Sequence, residues 1–335
     1  MADDATLCCS ALPRHADYGG LIGESSPTRR LYEMIAKVGR STAPVLVLGE
    51  TGTGKELVAR CIHFAGLRRE KEFIPVDCSA LTPTLVESEL FGHIKGAFTG
   101  AEHSKRGLLQ AGHEGTIFLD EISELPIILR AKLLRVLQEK EIRPVGSTER
   151  TPIDVRVIAA SNRNLEEGVR AGTFRQDLYF RLNVIQITVP TLRERRSDIP
   201  LLVAHFLERF SDRQQHVRTI SLDALKRLKA YDWPGNVREV RYAIERAVAL
   251  SSHTMLTVDD FDSRTGLPPS HVPDAREFVP LAELERRALA LAGHEAGGNK
   301  LVAARLLGIG KTTLYRKLKK YAAVRVPMDK DGREA

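Results

Sequence analysis

Cysteine is scarce in this chain: Cys8, Cys9, Cys61 and Cys78 are the four in 335 residues, and none stands in a C-x-x-C type pair. That spacing excludes a cysteine-built zinc site and a disulfide framework, so reduced thiols are expected. Long apolar runs are missing too. No stretch reaches the roughly 18 residues a membrane span needs, and residues 1–20 lack a basic start followed by an apolar block. No membrane partner is therefore expected, and the expected location is cytoplasmic. Acidic residues are absent between Ala296 and Arg325, where Lys300, Arg305, Lys311, Arg316, Lys317, Lys319, Lys320 and Arg325 stand. Those eight charges are enough to account for the whole net excess of +7. They alternate with apolar residues at helical spacing, which points to a folded basic face for a polyanion.

What is present centres on Val45 to Arg60, VLVLGETGTGKELVAR. Val45 to Leu48 read as a buried strand, Gly49 to Gly54 as a turn, and Lys55 onward as a helix. Glycines at 49, 52 and 54 let successive amides curl round an anion. The helix N-terminus and Lys55 add positive charge where β- and γ-phosphates would lie. Candidate phosphate binders are Gly49, Glu50, Thr51, Gly52, Thr53, Gly54, Lys55 and Glu56. Glu56 occupies the position at which a hydroxyl normally holds magnesium.

Further strands are expected at 73, 116, 155 and 184, separated by helical stretches, which argues a parallel sheet covered on both faces. Thr116 to Leu119 ends in Asp120-Glu121. An acid pair after a buried strand can be merely solvated; coupled to a phosphate loop it suits an ATPase, Asp120 holding Mg²⁺ through water and Glu121 polarising the attacking water. Asn162, after the strand at 155, suits a γ-phosphate sensor or an ordinary turn. Gly96 to Ala101, GAFTGA, reads as a mobile exposed tip presenting Phe98. Arg175 and Arg181 have no local acid that accounts for both. Helices near 200–212, 221–231 and 236–250 form a small lid, with Asn236 a candidate cap for the helix bearing Arg238. Residues 262–280 read as a linker. Leu301 to Leu307, a glycine turn and Lys311 to Tyr321 then make a helix-turn-helix whose outer face carries Thr312, Thr313, Arg316, Lys317 and Lys320.

GETGTGKE at 49, ESELFGH at 87, GAFTGA at 96, GTIFLDEI at 115, FRQDLYFRLNV at 174, LRERRSDIPLL at 192 and WPGNVRE at 233 closely resemble the AAA+ domain of bacterial enhancer-binding proteins, activators of sigma-54 RNA polymerase. AARLLGIGKTTLYRKL at 303 is similar to their Fis-type DNA-binding end. The resemblance implies an α/β fold: a P-loop AAA+ domain with a helix-flanked parallel sheet, a helical lid and an all-α helix-turn-helix. The expected division is a disordered extension at 1–20, an α/β subdomain at 21–190, a lid at 191–261, a linker at 262–280 and a DNA-binding domain at 281–335.

By the same resemblance, ATP and Mg²⁺ are the cofactors, and Asn162 is a first sensor. Arg175 and Arg181 are fingers reaching a neighbour's γ-phosphate, and Arg238 is a second sensor. Gly96, Ala97, Phe98, Thr99, Gly100 and Ala101 contact sigma-54. Lys311, Thr312, Thr313, Tyr315, Arg316, Lys317 and Lys320 face double-stranded enhancer DNA. The implied assembly is a homo-oligomer, commonly a hexamer, or a ring mixed with a paralogue. No receiver-like domain is read at 1–20, so control by a separate inhibitory protein or by abundance is expected.

Two positions depart from the family's pattern. Asp77 stands where relatives often carry an Asn that bonds the catalytic Glu, so it is expected to repel Glu121 or share its proton. Tyr242 replaces a common Asn. Two other functions fit part of the chain. A regulator acting without sigma-54, its ATPase controlling assembly only, would have little use for the intact GAFTGA. A general AAA+ chaperone or replication loader leaves both GAFTGA and the Fis-like end unexplained.

Overall fold

Three apolar runs become central strands because their residues can be buried on both faces of one sheet, and two half-buried runs close its edges. They are β1 (Val45–Leu48), β2 (Phe73–Asp77), β3 (Thr116–Asp120), β4 (Arg156–Ser161) and β5 (Ile185–Thr188). The computed structural model describes residues 7–8, 20–79, 83–214, 219–261, 289, 292, 296 and 300–322. They belong to two units, Met1–Pro269 and Ser270–Ala335.

All five strands run parallel in the order β5–β1–β4–β3–β2. One face packs Leu46, Ile117, Leu119, Val157 and Ala159 beneath the helices Ile127–Glu139 and Gln176–Leu182. The other packs Val45, Val47, Phe118, Ile158 and Ala160 beneath Ser26–Gly39 and Lys55–Phe64. The register sets Leu48 beside Ser161 and Asp120 beside Asp77. The loops after β1, β3 and β4 therefore emerge together at the carboxyl edge, where open α/β sheets bind ligands.

Buried charge fixes the helix Ser26–Gly39 at both ends. Arg156, 3% exposed inside β4, donates to the carbonyls of Val38 (2.7 Å) and Gly39 (3.4 Å) at the end of the helix Ser26–Gly39. Asp198, 1% exposed, accepts from the amides of Glu24 and Ser25 and from the hydroxyls of Ser25 and Thr28 at that helix's start.

Ile199–Gln214, Leu222–Ala230 and Asn236–Leu250 form the helical lid, close to the ranges read from sequence. They enclose Trp233, Phe261, Leu228 and Ile244. Leu7–Cys8, within the stretch read as a loose end, pairs antiparallel with Thr219–Ile220 of the lid. Those two residues are thus paired rather than loose, because Thr219–Ile220 offers its backbone groups on that side and pairs with Met255–Leu256 on the other.

In the second unit, Lys300–Leu306 and Lys311–Ala322 are helices joined through Gly308 at φ +61°. Leu314 is buried against Ala303 and Ala304, with Leu318 beside it. The linker read at 262–280 lies outside the described residues, as does the side chain of Tyr321.

Candidate nucleotide site

The sequence Gly49-Glu50-Thr51-Gly52-Thr53-Gly54 folds as a tight loop because Gly52 and Gly54 take φ values of +79° and +103°. A Cβ at Gly52 would also stand 2.2 Å from the carbonyl oxygen of Gly235, so only glycine lets the lid come this close. Thr53, 1% exposed, closes the loop by donating its hydroxyl to the Glu50 carbonyl at 2.8 Å. Gly54 begins the helix Lys55–Phe64 without a side-chain cap. The Lys55 ammonium, 7% exposed, donates to the Gly49 carbonyl at 3.1 Å and to Glu121 Oε1 at 3.2 Å.

Glu121 holds a left-handed backbone, φ +48°, which costs a non-glycine residue about 1–3 kcal/mol and marks a constrained position. Its Oε2 accepts the Asn162 amide at 3.2 Å, and Asn162 Nδ2 donates to Thr51 Oγ1 at 3.2 Å. The side chain of Asn162 thus bridges the end of β4 to the phosphate loop. Asp120 accepts the Glu121 amide at 3.0 Å. Burial, then the neighbouring Glu121 carboxylate, pushes its pKa up against the pull of Lys55.

Thr51 to Lys55, Asp120 and Glu121 line a cleft of about 510 Å³ together with lid residues Arg195, Arg209, Arg238 and Arg241, while Asn162 stands beside it on the far side of the loop with Gly49 and Glu50. Leu21, Ile22, Leu202 and Phe206 give one part of it an apolar wall, with His205 alongside. Burial and the Arg209 charge lower the pKa of His205. An apolar wall beside a cationic phosphate loop suits a nucleotide, base on one side and phosphates on the other. The sequence reading missed this wall, although the pair Leu21-Ile22 ahead of the first helix was a visible signal. It also missed Arg193, Arg195 and the true role of Asn236.

Asn236 does not cap its helix. It is fully buried at φ +53°, and its Oδ1 accepts the Leu192 amide at 2.8 Å. The N-cap position belongs to Gly235. Arg238 is exposed in the cleft, and its amide donates to the Gly52 carbonyl at 3.3 Å. Glu56 is exposed and turned to Arg60 along its own helix, its oxygen 2.8 and 3.0 Å from the guanidinium.

Asp77 does not meet Glu121. Its Oδ1 accepts the Ser79 amide at 2.8 Å and hydroxyl at 2.6 Å, because the turn after β2 brings two donors within reach of the side chain. Its charge acts on Asp120 and Cys78, not through a proton shared with Glu121. Burial and the neighbouring Asp77 push the Cys78 thiol up to about 12, and burial pushes Cys61 up to about 11, so both are inert thiols. Tyr242 is 57% exposed beneath the Arg241 guanidinium.

Arg175 and Arg181 lie at the start and on the solvent face of the helix Gln176–Leu182, and neither lines this chain's cleft. Contrary to expectation both have partners in their own chain. Arg175 is paired with Asp177 (2.7 Å), two residues on, and Arg181 donates to the Leu137 carbonyl at 2.9 Å.

The loop Gly96–Ala101 rises between the paired segments Gly92–His93 and Lys105–Arg106. Gly96 and Gly100 have positive φ, and the loop is closed by the Gly96 amide on the Ala101 carbonyl at 2.9 Å. Phe98 is not presented freely. Its ring lies edge-on to His93 with centroids 5.0 Å apart, since an apolar ring gains by covering the imidazole, while Thr99 stays exposed. On Lys311–Ala322, Lys311, Thr312, Tyr315 and Arg316 are exposed, and Thr313 and Lys317 are half-buried. The side chain of Lys320 lies outside the described residues. Among the described residues no helix is long and apolar enough to cross a membrane.

Sheet order, phosphate loop, acid pair and lid define a P-loop NTPase of AAA+ type. Residues 21–188 match the Sigma-54 interaction domain, 193–274 an AAA+ ATPase lid domain, and 280–321 the bacterial regulatory protein, Fis family. The chain is 46% identical over 300 residues to the transcriptional regulatory protein ZraR of Escherichia coli K12, covering 89% of this chain and 68% of that one. It is 44% identical over 309 residues to the response regulator protein PilR of Pseudomonas aeruginosa, covering 90% and 69%. The crystal structure of NtrX from Brucella abortus in complex with ATP superposes with a TM-score of 0.70 at 34% identity, over 90% of this chain and 69% of that one. This chain belongs to the family of sigma-54-dependent transcriptional regulators.

Proposed function

We propose that the chain is an ATP-hydrolysing activator that binds enhancer DNA and remodels the closed complex of sigma-54 RNA polymerase in the cytoplasm. Its working parts are the α/β subdomain at 21–190, the lid at 191–261 and the DNA-binding end at 281–335. One observation carries the reading: the phosphate loop, Asp120 and Glu121 meet in one cleft, with the Asn162 amide on Glu121 from the adjoining strand end, whereas Arg175 and Arg181 stand outside it on the solvent side of another helix. A site divided in this way is completed by an adjoining protomer, hence a ring, commonly hexameric, which a paralogue could share.

The residues fit ATP. The Gly49–Gly54 amides and Lys55 hold the phosphates, Arg238 approaches from the lid, and the apolar wall takes the base. The carboxylate of Asp120 is a hard oxygen donor suited to Mg²⁺ through water, and that ion neutralises phosphate charge when bound. Glu121 accepts the proton of the attacking water, held in place by the Asn162 amide. Arg175 and Arg181 of one protomer stabilise the charge that develops in its neighbour's site.

The exposed Thr99 and the neighbouring Phe98 form the tip that grips sigma-54. Thr99→Ala is expected to abolish open-complex formation at a sigma-54 promoter with ATP hydrolysis retained, measured by permanganate footprinting beside phosphate release. Open complexes at the native rate would overturn the assignment.

Lys311–Ala322 supplies the groove-reading helix, with Lys311, Arg316 and Lys317 toward phosphates and Thr312, Thr313 and Tyr315 beside them. Removing residues 281–335 is expected to leave ATP hydrolysis intact and eliminate protection of a defined DNA site. The native protein's affinity should fall steeply with salt. A truncated protein that still protects that site contradicts the prediction.

A further inference from the structure

We propose that the lid shapes the phosphate-binding loop from behind, with Asn236 as the positioning residue, so that phosphate affinity is set partly by a side chain that touches no phosphate. Three consecutive carbonyls of the loop accept hydrogen bonds from lid groups. Thr51 O takes Asn236 Nδ2 at 3.1 Å, Gly52 O the Arg238 amide at 3.3 Å, and Thr53 O the Arg195 guanidinium at 3.1 Å.

The consequence follows from peptide geometry. In a trans peptide the N–H points opposite to the C=O. Holding the carbonyls of Thr51, Gly52 and Thr53 toward the lid turns the following amides the other way; that of Thr53 rests on the Glu50 carbonyl at 3.4 Å, and those of Gly52 and Gly54 are left to an anion-binding concavity. The lid contacts fix peptide planes that three glycines would otherwise leave free to rotate.

Asn236 is built for this task. It is 0% exposed, and its single amide group serves both sides of the seam. Oδ1 accepts the Leu192 amide at 2.8 Å, while Nδ2 reaches Thr51 O and, at 3.2 Å, Glu50 Oε2. Arg193 holds Glu50 from the same lid segment, with a second contact at 3.0 Å. The hydrogen bonds from Arg193, then Asn236, lower the pKa of Glu50. The side chain's left-handed backbone, φ +53°, narrows the residues that can stand here to glycine, asparagine and aspartate without strain.

That backbone supplies the test. Asn236→Gly keeps the conformation and removes only the side chain. Asn236→Asp keeps the acceptor for Leu192 but loses the donor and sets a carboxylate against Glu50. Trp233, the sole tryptophan, is fully buried three residues away and reports by its emission whether each variant is folded.

The inference rests on the ATP-binding reading, and competition binding of ADP and AMP to the full chain separates the two. Native protein that binds neither sinks the ATP-binding reading. If the lid shapes the loop, both variants bind ADP about tenfold or more weakly, with AMP affected far less, because the defect grows with the number of phosphates. Equal losses for ADP and AMP indicate a disrupted lid, and unchanged ADP affinity indicates no coupling; either overturns the proposal. Should both variants fail to fold, hydrogen exchange of the native protein decides. ADP must slow exchange of the Leu192 amide, and an unchanged rate overturns the inference.

Discussion

Arg181→Ala is expected to lower the ATPase rate of the assembled protein by about 10³- to 10⁵-fold, the range a phosphoryl-transfer arginine supplies. Arg181 is held by the neutral carbonyl of Leu137, so no ion pair must be broken to release it. Arg175 must leave Asp177, yet both members of that pair are 44% exposed. Such surface pairs contribute only about 0–1 kcal/mol, far below the roughly 4–7 kcal/mol that the rate effect represents, so the pairing does not disqualify Arg175 as a finger. Arg175→Ala is accordingly expected to lose rate as well. The check is a mixing experiment. Arg181→Ala and Lys55→Ala proteins, each inactive alone, should recover hydrolysis when combined, because some interfaces then join an intact phosphate loop to an intact arginine. A mixture as inactive as its parents, or an Arg181→Ala protein as fast as native, contradicts the division of the site between protomers.

The second large effect falls on binding. Lys55→Ala removes a nearly buried ammonium from the loop that would hold the phosphates. Truncating one partner of a buried, hydrogen-bonded charge pair costs about 2–5 kcal/mol, so ADP and ATP affinity should fall by about 30-fold to several thousand-fold. Alanine also deprives Glu121 Oε1 of its cation. Equilibrium dialysis with labelled ADP measures the loss, and circular dichroism confirms that the protein is folded. Native affinity in the variant would show that this loop does not hold the phosphates.

Much of the architecture was visible in the sequence because it is local. Each central strand announces itself as a short apolar run, and the run at 116 carries its acid pair with it. Glycines at 49, 52 and 54 with Lys55 declare a phosphate loop within a single stretch. What escaped depends on distance along the chain. Asn236 looks like an ordinary helix cap, yet its partners Glu50 and Thr51 lie 186 and 185 residues away. Phe98 in a glycine-rich tip reads as exposed until the pairing of Gly92–His93 with Lys105–Arg106 places His93 beneath it. Asp77 invites a comparison with the acid pair Asp120-Glu121, but a serine two residues on offers a nearer pair of donors. Arg175 and Asp177 are two residues apart and pair locally, whereas the acceptor of Arg181, the Leu137 carbonyl, lies 44 residues back.

The central claim is that hydrolysis in a cleft shared by neighbours is delivered to sigma-54 through the loop Gly96–Ala101. The most direct test is to load purified protein with ADP and aluminium fluoride, a transition-state mimic, add sigma-54, and resolve the mixture by size-exclusion chromatography. A stable complex that forms only with the mimic, and that Thr99→Ala fails to form, is the predicted result. Protein that assembles and hydrolyses ATP but elutes apart from sigma-54 under every nucleotide condition would contradict the claim.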